Sequence, residues 1–108
     1  MTESEFLERA EAALAGIEDA VDASGLDIEL SRAGNVLTLE LSDGGRVVVN
    51  SQLPMRQLWL AARSGAHHYQ WSDGSWRDTR DGTEFFSALS RIVSALSGSA
   101  VVFSGRPR

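Results

Sequence analysis

Cysteine is absent from the 108 residues. That excludes a disulfide framework, thiolate metal ligands and a cysteine nucleophile, so any metal must be held by oxygen or imidazole. No apolar run approaches the roughly 20 residues that span a bilayer. The N-terminal Met1-Thr2-Glu3-Ser4-Glu5 is acidic and lacks the basic-then-apolar order of a secretory signal. These absences predict a soluble, cytoplasmic protein. Lysine is missing too; every base is an arginine, and nothing functional follows from that.

What is present suits one globular unit. Apolar residues make up 43% of the chain, too many for a disordered tail. The length supports one core but not two, so residues 1–108 are read as a single domain. The net charge of -5 is unevenly spread. Residues 1–29 hold nine acids against one base, Arg9, whereas residues 30–108 carry a net positive charge. An acidic region of this kind repels nucleic acid and anionic lipid and attracts cations and basic protein surfaces.

Periodicity places the elements. Phe6, Ala10, Ala13, Leu14, Ile17 and Val21 recur at steps of three and four, predicting an amphipathic helix over 3–23 that Ser24-Gly25 stops. Alternation then takes over. Ile28 and Leu30 open a first strand, and Leu37, Leu39 and Leu41 mark a second beyond the Ala33-Gly34-Asn35 turn. Asp43-Gly44-Gly45 is a hairpin signal before Val47 and Val49. Pro54 interrupts pairing ahead of a strand at 56–62. Further strands follow at 67–71 and around Trp76. A second helix is predicted with Asp81 as its cap and Glu84 closing a capping box. Phe85, Phe86, Leu89, Ile92, Val93 and Leu96 give it a wide apolar stripe, and Gly98 ends it. Ala100 to Phe103 is expected to pack back on the core, and Gly105 to Arg108 to fray. The fold class is therefore α+β: a two-layer sandwich with two helices on one face of a five- to six-stranded antiparallel sheet. The other sheet face is left to solvent or a partner.

The first helix breaks a local rule. Acids near a helix C-terminus oppose its partial negative charge, at about 0.3–1 kcal/mol each. Glu18, Asp19 and Asp22 nevertheless occupy its last turns, and Glu8, Glu11, Glu18 and Asp22 fall near one stripe. Asp27 and Glu29 carry the acidity into the first strand. Two readings stand on spacing alone: a solvated face, or a ridge that binds hard cations loosely or docks a basic partner.

The segment Asn50-Ser51-Gln52-Leu53-Pro54-Met55-Arg56-Gln57-Leu58-Trp59-Leu60-Ala61 closely resembles the signature of the bacterial frataxin family, Asn-x-Gln-x-Pro followed by Gln-x-Trp-Leu-Ala. Similar residues flank it in order: Ser4-Glu5-Phe6, Ile17-Glu18 and Val36-Leu37-Thr38 before, and Gly65, His68-Tyr69, Trp76, Asp78, Arg80, Gly82 and Glu84-Phe85 after. The resemblance implies the same sandwich and a protein that binds iron (Fe2+ or Fe3+) weakly while modulating or supplying iron–sulfur cluster assembly. By position it implies metal contacts at Glu11, Glu18, Asp19, Asp22, Asp27 and Glu29. Its implied partners are the cysteine desulfurase and the iron–sulfur scaffold protein, with the chain a monomer or an iron-dependent oligomer. An alternative is a regulatory docking module for the desulfurase in which iron is secondary. Family members often have a denser acidic run where this chain has Ala23-Ser24-Gly25-Leu26, which implies lower iron capacity or affinity here.

Alternation puts Trp59 opposite Leu58 and Leu60, hence on the outer sheet face with Asn50 and Gln52 on a neighbouring strand. A large aromatic on a polar face is either an interface anchor or a flat cover over its neighbours. The resemblance favours Asn50, Gln52, Gln57 and Trp59 as partner-binding. His67 and His68 are adjacent on a strand and point to opposite faces, so they cannot chelate together. No Ser–His–Asp arrangement, phosphate loop or Glu-x-x-His pair stands out, and no enzymatic activity is expected.

Overall fold

A computed structural model describes residues 1–103. The tail segment expected to fray, Gly105 to Arg108, lies outside the described residues. Helix α1 runs Glu3–Ser24, and helix α2 runs Phe85–Ser97. Between them lie β1 (Ile28–Ala33), β2 (Val36–Leu41), β3 (Arg46–Gln52), β4 (Gln57–Ala62), β5 (Gly65–Ser72) and β6 (Ser75–Asp78). The strands form one sheet in sequence order, each antiparallel to the next.

Period two sorts the sheet into two faces. Leu37, Leu39, Val47, Val49, Leu58 and Leu60 point inward and are fully buried beneath the helices. They meet Phe6, Leu14 and Ile17 of α1 and Phe85, Leu89 and Val93 of α2. The Tyr69 and Phe85 rings pack edge to face at 5.1 Å, linking β5 to α2. Gly16 sits where α1 meets α2. A β-carbon there would lie 3.4 Å from the Phe86 ring, in ordinary van der Waals contact with it.

The helix ends differ in part from expectation. Helix α1 has its own capping box, with Thr2 accepting from the Glu5 N–H and Glu5 accepting from the Thr2 N–H. Gly25 ends α1 in the left-handed conformation, as expected. At α2 the predicted cap is corrected: Glu84, not Asp81, is the N-cap, accepting from Phe86 and Ser87 N–H. Gly82 turns left-handed at φ 76°, and Glu84 bridges to Arg77 on β6, so residues 82–84 cannot be helical. Asp81 instead accepts from the Thr83 N–H at 2.9 Å. Strand β4 begins one residue later than expected, because Arg56 closes the preceding turn with φ 53°.

The C-terminal segment does return to the core. Phe103 is buried, and its N–H donates to Ser90 Oγ at 2.8 Å. Ser94 Oγ accepts from the Val101 N–H and donates to its carbonyl.

Candidate functional site

Helical spacing sets Glu11, Glu18 and Asp22 along one stripe of α1, with Asp19 beside it. No base occupies the last turn of α1. Strand β1 supplies a cation instead. Arg32 shares the helix-facing side of β1 with Ile28 and Leu30, and its guanidinium reaches up to the helix. Nη2 donates to Glu11 Oε1 at 2.6 Å and Nη1 to Glu11 Oε2 at 2.8 Å, a two-pronged pair; Nη1 also reaches Glu18 Oε1 at 3.2 Å.

Those hydrogen bonds hold the Glu11 carboxyl below the usual carboxylate range and raise the Arg32 guanidinium. A depressed folded-state pKa stabilises the fold above the ordinary carboxylate pKa, and that contribution is lost as pH falls through the folded value. The pair is largely solvated, so its share of stability is about 1 kcal/mol or less.

The six expected metal contacts therefore divide. Glu11 and Glu18 are engaged by Arg32. Asp19, Asp22 and Asp27 are exposed and make no ion pair among the described residues. Glu29 stands directly opposite Glu40 on β2, which places it on the outer sheet face, turned from the helices. Glu40 in turn pairs with Arg46 at 3.2 Å. Among the described residues, no three His, Cys, Asp or Glu side chains are grouped to hold one ion. The arrangement can attract hard cations to one or two carboxylates with water completing the shell; it does not enclose them. Arg32 lies just beyond the acidic segment 1–29 in the sequence. The available signal was its register: two residues beyond Leu30, on the side facing an acidic helix.

The outer sheet face brings together all four residues expected to bind a partner. Asn50 lies opposite Trp59, and Gln52 opposite Gln57. Trp59 Nε1 donates to Gln57 Oε1 at 2.9 Å, and Gln52 Nε2 donates to Asn50 Oδ1 at 2.7 Å. The Trp59 ring lies over His68 on β5, with centroids 4.3 Å apart and planes 12° from parallel. Gln57 is buried, and its carboxamide oxygen is taken by the indole N–H. The two histidines diverge as alternation requires. His68 stacks on Trp59, while His67 Nδ1 sits 3.3 Å from the buried Asp78 carboxylate on the inner side.

Comparison with known proteins agrees with the fold and extends it. The family model described as a Frataxin-like domain matches residues 1–99. The "Iron-sulfur cluster assembly protein CyaY" of Paraburkholderia xenovorans is 53% identical over 103 residues, covering 95% of this chain and 98% of the relative. The protein of the same description from Burkholderia mallei is 46% identical over 107 residues, covering 96% and 99%. Among solved structures, frataxin from Psychromonas ingrahamii superposes with a TM-score of 0.90 at 36% identity, covering 96% of this chain and 99% of that one. A trimeric frataxin from the yeast Saccharomyces cerevisiae, complexed with ferrous iron, gives a TM-score of 0.67 at 25% identity, covering 92% and 88%. With a matching family model across most of its length and relatives about half identical end to end, the chain belongs to the frataxin-like family.

Proposed function

We propose that this chain is a non-catalytic cytoplasmic protein that binds iron weakly and modulates or supplies it for iron–sulfur cluster assembly. The supporting observation is the end of α1 and the segment after it, where Asp19, Asp22 and Asp27 stand exposed and make no ion pair among the described residues. Fe2+ or Fe3+ is cargo there, bound by hard oxygen donors and released readily. The relatives named as cluster assembly proteins support the pathway. The partners in this reading are the cysteine desulfurase and the scaffold protein. A basic desulfurase surface would meet the acidic patch, while Asn50, Gln52 and Trp59 would engage a partner from the sheet face. The protein would act as a monomer, with iron-dependent oligomers an additional state; the yeast structure complexed with ferrous iron is described as trimeric.

Arg32 favours a second reading. It already neutralises Glu11 and Glu18, which leaves less carboxylate for metal and suits a regulatory docking module in which iron is secondary.

Anaerobic titration of 15N-labelled protein with Fe2+ separates the two. The iron reading expects paramagnetic broadening of amides at Asp19, Asp22 and Asp27. It expects Arg32→Ala to extend the broadening to Glu11 and Glu18 and to tighten apparent binding by about two- to fivefold, the scale of one released surface ion pair. Sharp signals throughout residues 18–29 would remove iron from the account and leave the docking reading.

A further inference from the structure

The two edges of the sheet are finished differently. Strand β6 is closed on its free side. Glu84 bridges to Arg77, the Asp78 N–H donates to the Thr83 carbonyl at 2.9 Å, and α2 packs against the strand. Strand β1 is open. It pairs with β2 alone, in unbroken register from Ile28 to Ala33. Alternate residues of an antiparallel edge strand turn their N–H and C=O groups away from the sheet. Among the described residues, no side chain and no loop takes a backbone group of residues 29–33 from that side.

Proteins commonly blunt such an edge with proline, a bulge, a very short strand, a covering element or an inward charge. Strand β1 is six residues long and has no proline or bulge. Its one inward charge, Arg32, is already neutralised by Glu11 at 2.6 Å and Glu18 at 3.2 Å, so it does not repel a basic segment.

Two features define what fits there. On the helix side, Leu26, Ile28 and Leu30 pack against the core yet are only half-buried. A further strand with apolar side chains on that side would complete their burial. On the outer face Glu29 is exposed, Asp27 precedes it, and neither makes an ion pair among the described residues. These acids favour basic residues on the opposite strand and disfavour a second copy of β1, which would bring the same acids against them.

We propose that β1 accepts an extended basic segment of a partner protein as a seventh strand. Its alternate apolar residues lie beside Ile28 and Leu30, and its arginines or lysines face Glu29 and Asp27. The backbone ladder supplies affinity, and the two faces supply selectivity. The inference rests on the reading of this chain as a docking module for a basic partner, and gives that partner a backbone conformation.

Titration of the full 15N-labelled chain with the blocked peptide (Val-Arg)3 tests it. The comparison peptides are the same sequence with every backbone amide N-methylated, which keeps the charge but cannot donate to a ladder, and (Val-Glu)3. The (Val-Arg)3 peptide should give saturable shifts across residues 28–33 and slow hydrogen exchange at alternate amides there, the mark of a newly paired edge. The N-methylated peptide should bind about tenfold more weakly and slow no exchange, and (Val-Glu)3 should not bind. Glu29→Arg, on the exposed outer face, should weaken (Val-Arg)3 by about threefold or more. The proposal is overturned if (Val-Arg)3 does not bind, if the N-methylated peptide binds as tightly, or if shifts stay on α1 with no protection in β1. The docking reading fails separately, by loss of desulfurase binding itself.

Discussion

Leu58→Ala should cost about 3–5 kcal/mol of stability, while Trp59→Ala, one residue on, should cost about 1–2 kcal/mol. The contrast follows from the sheet having one dry face. Leu58 is fully buried against the helices, and its loss leaves a cavity that packed neighbours cannot collapse into. A loss of that size is a large share of the roughly 5–15 kcal/mol that holds a domain together. Trp59 gives up a stack on His68 and one hydrogen bond to Gln57 on the outer face. Urea denaturation of the two variants measures the difference directly. If the outer tryptophan proves as costly as the inner leucine, it is a packing residue and loses its standing as a docking anchor.

Phe103→Ala should be nearly as damaging, at about 3 kcal/mol or more, which corresponds to a fall of roughly 12 °C or more in Tm. The ring is buried among core side chains although it lies beyond the last helix. The backbone around it is tied to α2 through Ser90 and Ser94, whose hydroxyls take the Phe103 and Val101 N–H groups. Ser90 is itself buried, so removing residues 101–108 would also strip its partner in the segment. Val102, 89% exposed between these two, serves as the internal control, and Val102→Ala should leave Tm almost unmoved. Equal melting curves for the Val102 and Phe103 variants would show that the segment adds nothing to the fold.

Much of this architecture can be read from periodicity. The steps of three and four from Phe6 to Val21 and the alternation of Leu37, Leu39 and Leu41 each name the buried face, because a slip of one residue would turn every leucine to water. The same alternation separates Leu58 from Trp59 and His67 from His68. What escapes the sequence is interaction across elements. The cap at Glu84 rather than Asp81 depends on the bridge between Arg77 and Glu84, which holds residues 82–84 off the helix and is not a local pairing. The acidic ridge looked continuous from Glu11 to Glu29. In three dimensions Arg32 takes its first half, and the pleat turns Glu29 to the outer face. The outer-face quartet was legible because the family signature and the pleat agree on it.

The central claim is that the acidic end of α1 is one surface serving both iron and a basic partner. Affinity for the cysteine desulfurase, measured by calorimetry with and without Fe2+, tests it most directly. The comparison needs the unaltered chain and a variant carrying Glu18→Arg, Asp19→Arg and Asp22→Arg. The account predicts iron-dependent binding by the unaltered chain, and a loss of about tenfold or more together with loss of the iron effect in the variant, as expected when close charge pairs across an interface are reversed. Desulfurase binding that is indifferent both to iron and to the three reversals would contradict it.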